Sequence, residues 1–347
     1  MVLMREEMEK IWIPDTENKD EKNKDHSEEK ESSFSLGKEG EKKDSQEREP
    51  SRERAITKFK EFIKDRKESI EKESKKSEDL EDLESRSLAE IIYRDFYCRD
   101  VDNLKYKEDD PEIKQLKTYN KSVEDIWERL LERYKKEAKT KEEVILPGKD
   151  SYWLYCETNG GFLKEGKEGR IYLNLKPKEV SSFFSKAVEA FQSAGLHIRT
   201  KIPREGNAET FNRFDKMVVY FSEKEEEKVV EVLENLYNQD AFDEDTPAFT
   251  GEIRDKKGEV MRGIGFGEKP SIPHVSFGQI RSRILSVVYR QAKDSGLEVY
   301  DPEFDFKKHF QEACKKHNVN PDNPAFNLST TAEEFVGTRE RMGLQKS

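Results

Sequence analysis

The clearest hydrophobic pattern in the chain is an alternation over residues 196–202. Apolar and cationic side chains take turns there, and strict alternation predicts a half-buried β-strand. Its polar side consists of His197, Arg199 and Lys201, and neighbours on one side of a strand lie about 6.5–7 Å apart. A second apolar strand is predicted over residues 217–221. Two interpretations are open: a face that binds phosphate or carboxylate and does acid–base chemistry, or an edge strand kept soluble by charge.

Other patterns place helices and strands around this pair. Helical spacing, capping residues and a first-turn proline predict helices that begin at Ser87, Ser122, Pro177, Ser222, Ser276 and Asp301. Short apolar runs predict further strands over residues 152–155 and 170–174. Because helices and strands alternate irregularly, the fold class expected is α+β, with a mostly antiparallel sheet flanked by helices.

The N-terminal quarter has a different composition. Residues 15–50 are almost entirely polar and cannot offset an ordering cost of about 1–2 kcal/mol per residue, so we expect them to be disordered. Residues 56–76 carry a thin apolar stripe at helical spacing, which either packs on the domain or self-associates. The predicted organisation is a charged region over 1–85, one domain over 86–330 and a polar tail over 331–347.

Composition excludes several classes of protein. The 347 residues are 40% charged with a net charge of −11, which argues against binding to nucleic acid or a membrane surface. Three widely spaced cysteines predict a reducing compartment, the cytoplasm, with export left open. No apolar run is long enough to span a membrane. Phosphate-loop, dinucleotide and zinc-type motifs are absent from the sequence, so no cofactor and no metal site are predicted.

A second candidate site lies where the Ser276 helix begins. Ser276, Gly278 and the free amides of a first helical turn could bind an anion, with Arg281 close behind. The loop before it, residues 263–273, is rich in glycine and proline and holds His274 in a shaped turn. The alternative is an ordinary capped helix with surface arginines.

Several segments taken together resemble one known family. The matching residues are Leu88 to Tyr97, Arg170 to Asn174, Lys201, Asn212 to Asp215, Val218 to Tyr220, Pro247 to Thr250, Lys269-Pro270, Ser276 to Gly278 and Arg281. In order and spacing these residues resemble the HopA-type effector family, first known among type III secreted effectors of plant-pathogenic bacteria. The resemblance covers roughly residues 86–330.

The resemblance implies an activity. Related HopA-like domains act in lanthipeptide and thioamitide pathways as phosphoserine/phosphothreonine lyases, similar in idea to the phosphothreonine lyase effectors that inactivate host kinases. The implied reaction is a metal-independent β-elimination of phosphate, catalysed by a carbon–oxygen lyase, that leaves dehydroalanine or dehydrobutyrine. The implied partners are a phosphorylated peptide or protein and a kinase that supplies it.

Elimination requires a base, an acid and cations, and the residues of the matching segments can be assigned to these roles. Lys201 is the candidate base, because cationic neighbours such as Arg199 favour its neutral form. Either His197 or His274 is the candidate acid. The candidate phosphate-binding arginines are Arg204, Arg213 and Arg281.

Three further residues complete the candidate site. Asp215 either orients Arg213 or forms a plain structural ion pair with it. Tyr220 and Asn174 are expected to line the pocket. Two other functions stay open at this point: a non-catalytic phosphopeptide- or anion-binding module, and an effector-type interaction protein whose charged N-terminal segment recruits a partner.

Overall fold

The computed structural model describes residues 51–75, 88–99, 104–107, 110–114, 116–137, 152–159 and 166–344. Its centre is one antiparallel sheet with the strand order β1-β3-β4-β2-β6-β5. The strands are β1 (Trp153–Glu157), β2 (Glu168–Leu173), β3 (Arg199–Pro203), β4 (Met217–Ser222), β5 (Gly251–Arg254) and β6 (Val260–Glu268). The predicted α+β class with an antiparallel sheet is therefore confirmed.

Helices cover both faces of the sheet. In the described residues they are α1 (Ser51–Lys75), α2 (Pro111–Lys114), α3 (Leu116–Glu137), α4 (Val180–Ser193), α5 (Ala208–Phe211), α6 (Glu226–Leu236), α7 (Phe277–Asp294), α8 (Phe306–Lys316) and α9 (Val336–Arg341). A π-helical turn, Tyr93–Tyr97, precedes α2. The third helix begins before the predicted Ser122, because Tyr119 is buried and extends its apolar stripe by one turn.

The first face of the sheet carries the main hydrophobic core. Helix α4 buries Val180, Phe183, Phe184, Ala187, Val188 and Phe191, a spacing that keeps all six on one side of the helix. They pack with residues of α6 and with the inward side chains of β3 and β4. The helix ends at Gly195, whose φ of 69° suits glycine. Leu196, Ile198 and Ile202 lie in this core and Thr200 is buried, which confirms the predicted inward side of the alternating stretch. The strand itself begins only at Arg199, three residues after the predicted start.

The second face is covered only along part of its width by α7, α8 and α1. Helix α1 buries Phe59 and Ile63, and the Phe59 ring lies 5.5 Å from the Phe96 ring and 6.2 Å from the Phe306 ring. Of the two alternatives for this helix, the structure shows packing on the domain. The predicted disorder of residues 15–50 lies outside the described residues.

The alternating glycines that we assigned to a loop are part of strand β6, so that assignment is wrong. Glycine is unfavourable in strands unless another group must approach closely. A Cβ on Gly267 would lie 2.6 Å from the Phe277 ring, and those on Gly263 and Gly265 would collide with the 243–250 segment. The glycines therefore let α7 and this segment pack directly on the backbone of β6.

The C-terminal segment also differs from expectation. Residues 331–347 were predicted to be a polar tail, but Phe335 is buried and its ring lies 5.3 Å from the Phe266 ring. The Glu226 carboxylate accepts a hydrogen bond of 2.8 Å from the backbone N–H of Gly337. These contacts hold the C-terminal segment on the domain. The mostly polar sequence of this segment gave no indication of them.

Candidate functional site

The antiparallel register arranges polar and aromatic side chains in two rows across the second face. One row consists of Tyr155 on β1, Lys201 on β3, Val218 on β4 and Tyr172 on β2. The next row consists of Glu157, Arg199, Tyr220 and Arg170 on the same four strands. Strand β3 lies inside the sheet, between β1 and β4, so the edge-strand interpretation is wrong. We refer to Trp153, Tyr155, Arg170, Lys201, Arg213, Asp215 and Tyr220 as the Lys201 cluster.

Lys201 is the cationic residue at the centre of this cluster. Its Nζ atom lies 3.8 Å from the centre of the Trp153 ring. Burial lowers the pKa of the Lys201 amine, the Arg213 and Arg170 charges lower it further, and Asp215 and Tyr155 oppose the change. The direction is the predicted one, but the main cause is burial and not the charge of Arg199.

Arg213 reaches the same aromatic ring from the loop before β4. Its guanidinium carbon lies 5.4 Å from the centre of the Trp153 ring. Asp215 accepts two hydrogen bonds from Arg213, from Nε at 2.8 Å and from Nη2 at 3.0 Å. This bidentate pair is an ion pair, and it also fixes Arg213 beside Lys201. The two cations that sequence analysis assigned to base and phosphate binding are therefore neighbours.

Two further arginines of the second row are held by carboxylates. Arg199 donates from Nε to Glu157 at 2.6 Å, and Arg170 donates from Nε to Glu168 at 2.9 Å. The Arg170 guanidinium also lies 5.2 Å from the centre of the Tyr220 ring. A guanidinium fixed in this way loses little further conformational freedom when it binds an oxyanion.

Sequence analysis did not select Arg170, Tyr155 or Trp153 as site residues. Arg170 was visible only as part of a family segment. The available signal was its alternation with the apolar residues of β2, which places it on the polar side of that strand. Its position beside Tyr220 depends on strand pairing, which alternation within one strand does not reveal.

A wall of aromatic side chains borders the cluster. Tyr93 and Tyr97 lie four residues apart on one side of the π-helical turn, and their rings stack with 5.7 Å between the ring centres. Tyr97 packs on Phe277 at 6.2 Å, and Phe277 packs on Tyr172 at 5.8 Å. Cys98 lies under this wall, and burial raises the pKa of its thiol to about 11. All three cysteines are buried, which suits small apolar residues better than nucleophiles.

The second candidate site, at the start of α7, is not an open anion site. Ser276 and Gln279 form the predicted capping box, with bonds of 3.2 and 2.8 Å, so the Ser276 hydroxyl is engaged. A Cβ on Gly278 would collide with the Tyr97 ring, because that ring covers the first turn. The alternative of an ordinary capped helix is the one that the structure favours.

Arg281 is not a surface phosphate-binding residue. It is 1% exposed, its Nε donates to the carbonyl oxygen of Pro324 at 3.0 Å, and its guanidinium carbon lies 3.6 Å from the Phe277 ring centre. Burial lowers its pKa to about 10. Arg281 is therefore separated from the Lys201 cluster by the Tyr97, Phe277 and Tyr172 rings.

The two candidate acids are not part of the cluster. His197 precedes Lys201 by four residues, which corresponds to about 13 Å along an extended chain. Its backbone N–H donates to Glu225 at 2.7 Å. His274 is exposed, with a φ of 60°, in the loop before α7. The groups that act most strongly on the Lys201 pKa are instead Asp215, Tyr155, Arg213 and Arg170.

Arg204 and Asn174 also lie elsewhere. The Arg204 guanidinium lies 4.8 Å from the Trp127 ring of α3, because position 204 continues the inward side of β3. Asn174 is buried and donates to the carbonyl oxygen of Asp245 at 2.7 Å, while its own oxygen accepts from Lys216 Nζ. It belongs to a polar network next to the cluster and does not line it.

Among the residues that the structure describes, no group of three His, Cys, Asp or Glu side chains could hold a metal ion, and no helix is long and apolar enough to cross a membrane. A cavity of about 440 Å³ lies between α1, the 244–250 segment and β6. It shares no lining residue with the Lys201 cluster, so this cavity and the cluster are different places.

Residues 149–326, which include the whole cluster, match the model of the HopA1 effector protein family. The chain is similar to an effector protein from Pseudomonas syringae pv. tomato strain DC3000, with 15% identity over 79% of this chain and 99% of that one and a TM-score of 0.45. It is also similar to an effector protein from Pseudomonas syringae pv. syringae strain 61, with 15% identity over 80% and 98% and a TM-score of 0.48. No curated protein sequence matches the chain.

Proposed function

The chain belongs to the HopA1 effector protein family, and we propose that it is a phosphoserine/phosphothreonine lyase acting on a peptide or protein. The proposed reaction removes the Cα proton and the β-phosphate of the substrate residue. It leaves dehydroalanine from phosphoserine and dehydrobutyrine from phosphothreonine, together with inorganic phosphate. The reaction is neither a hydrolysis nor an oxidation, so it needs no redox cofactor.

One observation carries this proposal: a lysine with a lowered pKa lies beside an arginine on the same aromatic ring. A base must be neutral when it accepts a proton, and burial of Lys201 increases its neutral fraction. Arg213 is a permanent cation that can bind the leaving phosphate next to that base. In this proposal, one phosphorylated residue can contact both Lys201, as the base, and Arg213, as the phosphate-binding cation.

The arginines suit a phosphoryl group in geometry as well as in charge. Asp215 engages Nε and Nη2 of Arg213, which leaves Nη1 for a ligand. Glu157 and Glu168 hold Arg199 and Arg170 in the adjacent row. Negative charge that develops on departing phosphate is stabilised by cations that are already oriented.

For the partner, we propose a phosphorylated host protein, as an effector would meet after export. The alternative partner is a precursor peptide phosphorylated by a kinase of the same biosynthetic pathway. The two differ in the phosphorylated molecule and not in the reaction. The proposal therefore stands or falls on the chemistry of the Lys201 cluster.

A second candidate function is a non-catalytic phosphopeptide-binding module. The observation that favours it is the carboxylate partner of each of Arg170, Arg199 and Arg213, since a rigid cationic surface binds anions without any chemistry. This function predicts that Lys201→Met binds a phosphopeptide and that the wild-type protein forms no product.

The experiment is a mass measurement on a phosphothreonine peptide incubated with the full chain. The lyase should release inorganic phosphate and leave a peptide lighter by one molecule of phosphoric acid. A product lighter by HPO₃ alone would mean hydrolysis and would refute the lyase proposal. Lys201→Met is the matched variant, and it should form no product while it keeps the fold.

A further inference from the structure

The proposed elimination needs an acid, and neither histidine of the sequence prediction lies in the Lys201 cluster. We propose that the Tyr155 hydroxyl donates the proton to the departing phosphate oxygen. This inference rests on the lyase function proposed above and assigns one more catalytic group to the same site. Four observations support it: strand register, exposure, the surrounding charges and the positions of the other phenols.

The register places the two residues directly opposite each other. Tyr155 on β1 pairs with Lys201 on β3. Directly opposed residues of antiparallel strands have Cβ atoms about 4.5–5.5 Å apart and point to the same face. A substrate residue that gives its Cα proton to Lys201 therefore has its β-substituent within reach of the Tyr155 side chain.

The charges around Tyr155 suit an acid that must lose its proton. Lys201, Arg199 and Arg170 all lie close enough to act on its pKa. Burial raises this pKa, so the phenol carries its proton at neutral pH, and the three cations oppose that rise. The same cations stabilise the phenolate once the proton has gone to phosphate.

The other phenols of this face are less suitable. Tyr97 and Tyr172 are buried under Phe277. Tyr93 lies in the wall beside Cys98 and Asp215. Tyr220 lies one row away and supports the Arg170 guanidinium. Tyr155 is half-buried, so a ligand can reach it, and it alone among these five is opposite Lys201 in the sheet.

The step balances without any co-reactant. Lys201 Nζ accepts the Cα proton, and the electron pair of the Cα–H bond becomes the second bond between Cα and Cβ. The Cβ–O bond breaks, its electrons stay on the phosphate oxygen, and the Tyr155 proton goes to that oxygen. The Lys201 ammonium and the Tyr155 phenolate then exchange one proton through solvent, which restores both groups.

The test compares Tyr155→Phe with the wild-type full chain on two peptides that differ only in phosphothreonine or sulfothreonine. Sulfate is a far weaker base than phosphate and departs without protonation. We expect kcat on the phosphopeptide to fall about 10²–10⁴-fold with little change in KM, and elimination of sulfate to proceed at the wild-type rate. Tyr152→Phe is the control, because Tyr152 is exposed and its hydroxyl lies 3.3 Å from that of Thr210. Thermal melting confirms that each variant is folded.

Two results with Tyr155→Phe would overturn the inference. One is a wild-type rate on the phosphopeptide, and the other is the same loss on both peptides, which would indicate a positioning or structural role. If the wild-type protein eliminates neither group, the proposed lyase function fails and this inference fails with it. Failure of the lyase proposal is thus visible in the wild-type reaction alone, whereas the two results that overturn only the Tyr155 inference require an active wild-type protein.

Discussion

The amine nitrogen of Lys201 lies 3.8 Å from the centre of the Trp153 ring. Trp153 also supports Arg213, at 5.4 Å from its ring centre, so one aromatic side chain positions two cations. Burial and the Arg213 and Arg170 charges lower the pKa of Lys201, so its neutral form is favoured more than that of a lysine in water. The proposed role of Lys201 as the base that accepts the Cα proton requires this neutral form.

The first prediction concerns pH. A base works only when it is unprotonated, so kcat on a phosphothreonine peptide should rise with pH. Because burial and the Arg213 and Arg170 charges lower the Lys201 pKa, the rise should be centred below the ordinary lysine value of 10.5. A pH–rate profile measures this directly. A rate that falls as pH increases across the neutral range would contradict the assignment of Lys201 as base.

The second prediction separates two arginines that the sequence treats alike. Arg213→Lys should raise KM about tenfold or more, since a planar guanidinium binds phosphate through paired charged hydrogen bonds. Arg281→Lys should leave KM unchanged and lower the melting temperature, because Arg281 is buried on Phe277 and Pro324. Steady-state kinetics and thermal melting distinguish the two. A larger rise in KM for Arg281→Lys than for Arg213→Lys would contradict this prediction and would indicate that Arg281 binds the phosphate.

The third prediction concerns the polar network beside the cluster. Lys216 is 1% exposed and donates to Asp243 at 2.8 Å, and burial lowers its pKa to about 8. Removal of one partner of a buried pair is strongly destabilising, so Lys216→Met should cost about 3 kcal/mol.

Lys105→Met is the matched control for this network. Lys105 donates to the same Asp243 carboxylate, but its side chain is 58% exposed. An exposed partner contributes less than about 1 kcal/mol. Urea unfolding of the two variants gives both values. Equal losses would show that burial of Lys216 does not decide the stability of the pair.

The fourth prediction tests whether α1 is part of the folded domain. Phe59 is fully buried between Phe96 and Phe306, and its replacement by alanine should cost about 3–5 kcal/mol. Lys64→Ala, on the exposed side of the same helix, should change the free energy of unfolding by less than about 0.5 kcal/mol. A Phe59→Ala variant that unfolds like the wild type would mean that α1 contributes nothing to domain stability.

The hydrophobic alternation in the sequence correctly predicted which side chains of β3 face the core and which face away from it. Period-two alternation sets which side chains share a face, and so it placed Lys201 and Arg199 away from the core formed by Ile198 and Ile202. This alternation could not show which residues of the neighbouring strands lie beside Lys201 and Arg199. Tyr155 and Arg170 become neighbours of that face through non-local strand pairing, which no local pattern encodes.

Residue type misled us where tertiary packing overrides it. Arginine is usually exposed, yet Arg281 is enclosed by Phe277 and the Pro324 carbonyl group. Glycine usually indicates a loop, yet Gly265 and Gly267 lie in β6 because other groups pack on its backbone. In each case the decisive partner is distant in sequence.

The most direct test of the central claim is the mass of a phosphothreonine peptide after incubation with the wild-type protein. We expect a loss of one phosphoric acid molecule and the appearance of inorganic phosphate, with no product from Lys201→Met. An unchanged peptide, or one that has lost only HPO₃, would contradict the claim that Lys201 and Arg213 form an eliminating site.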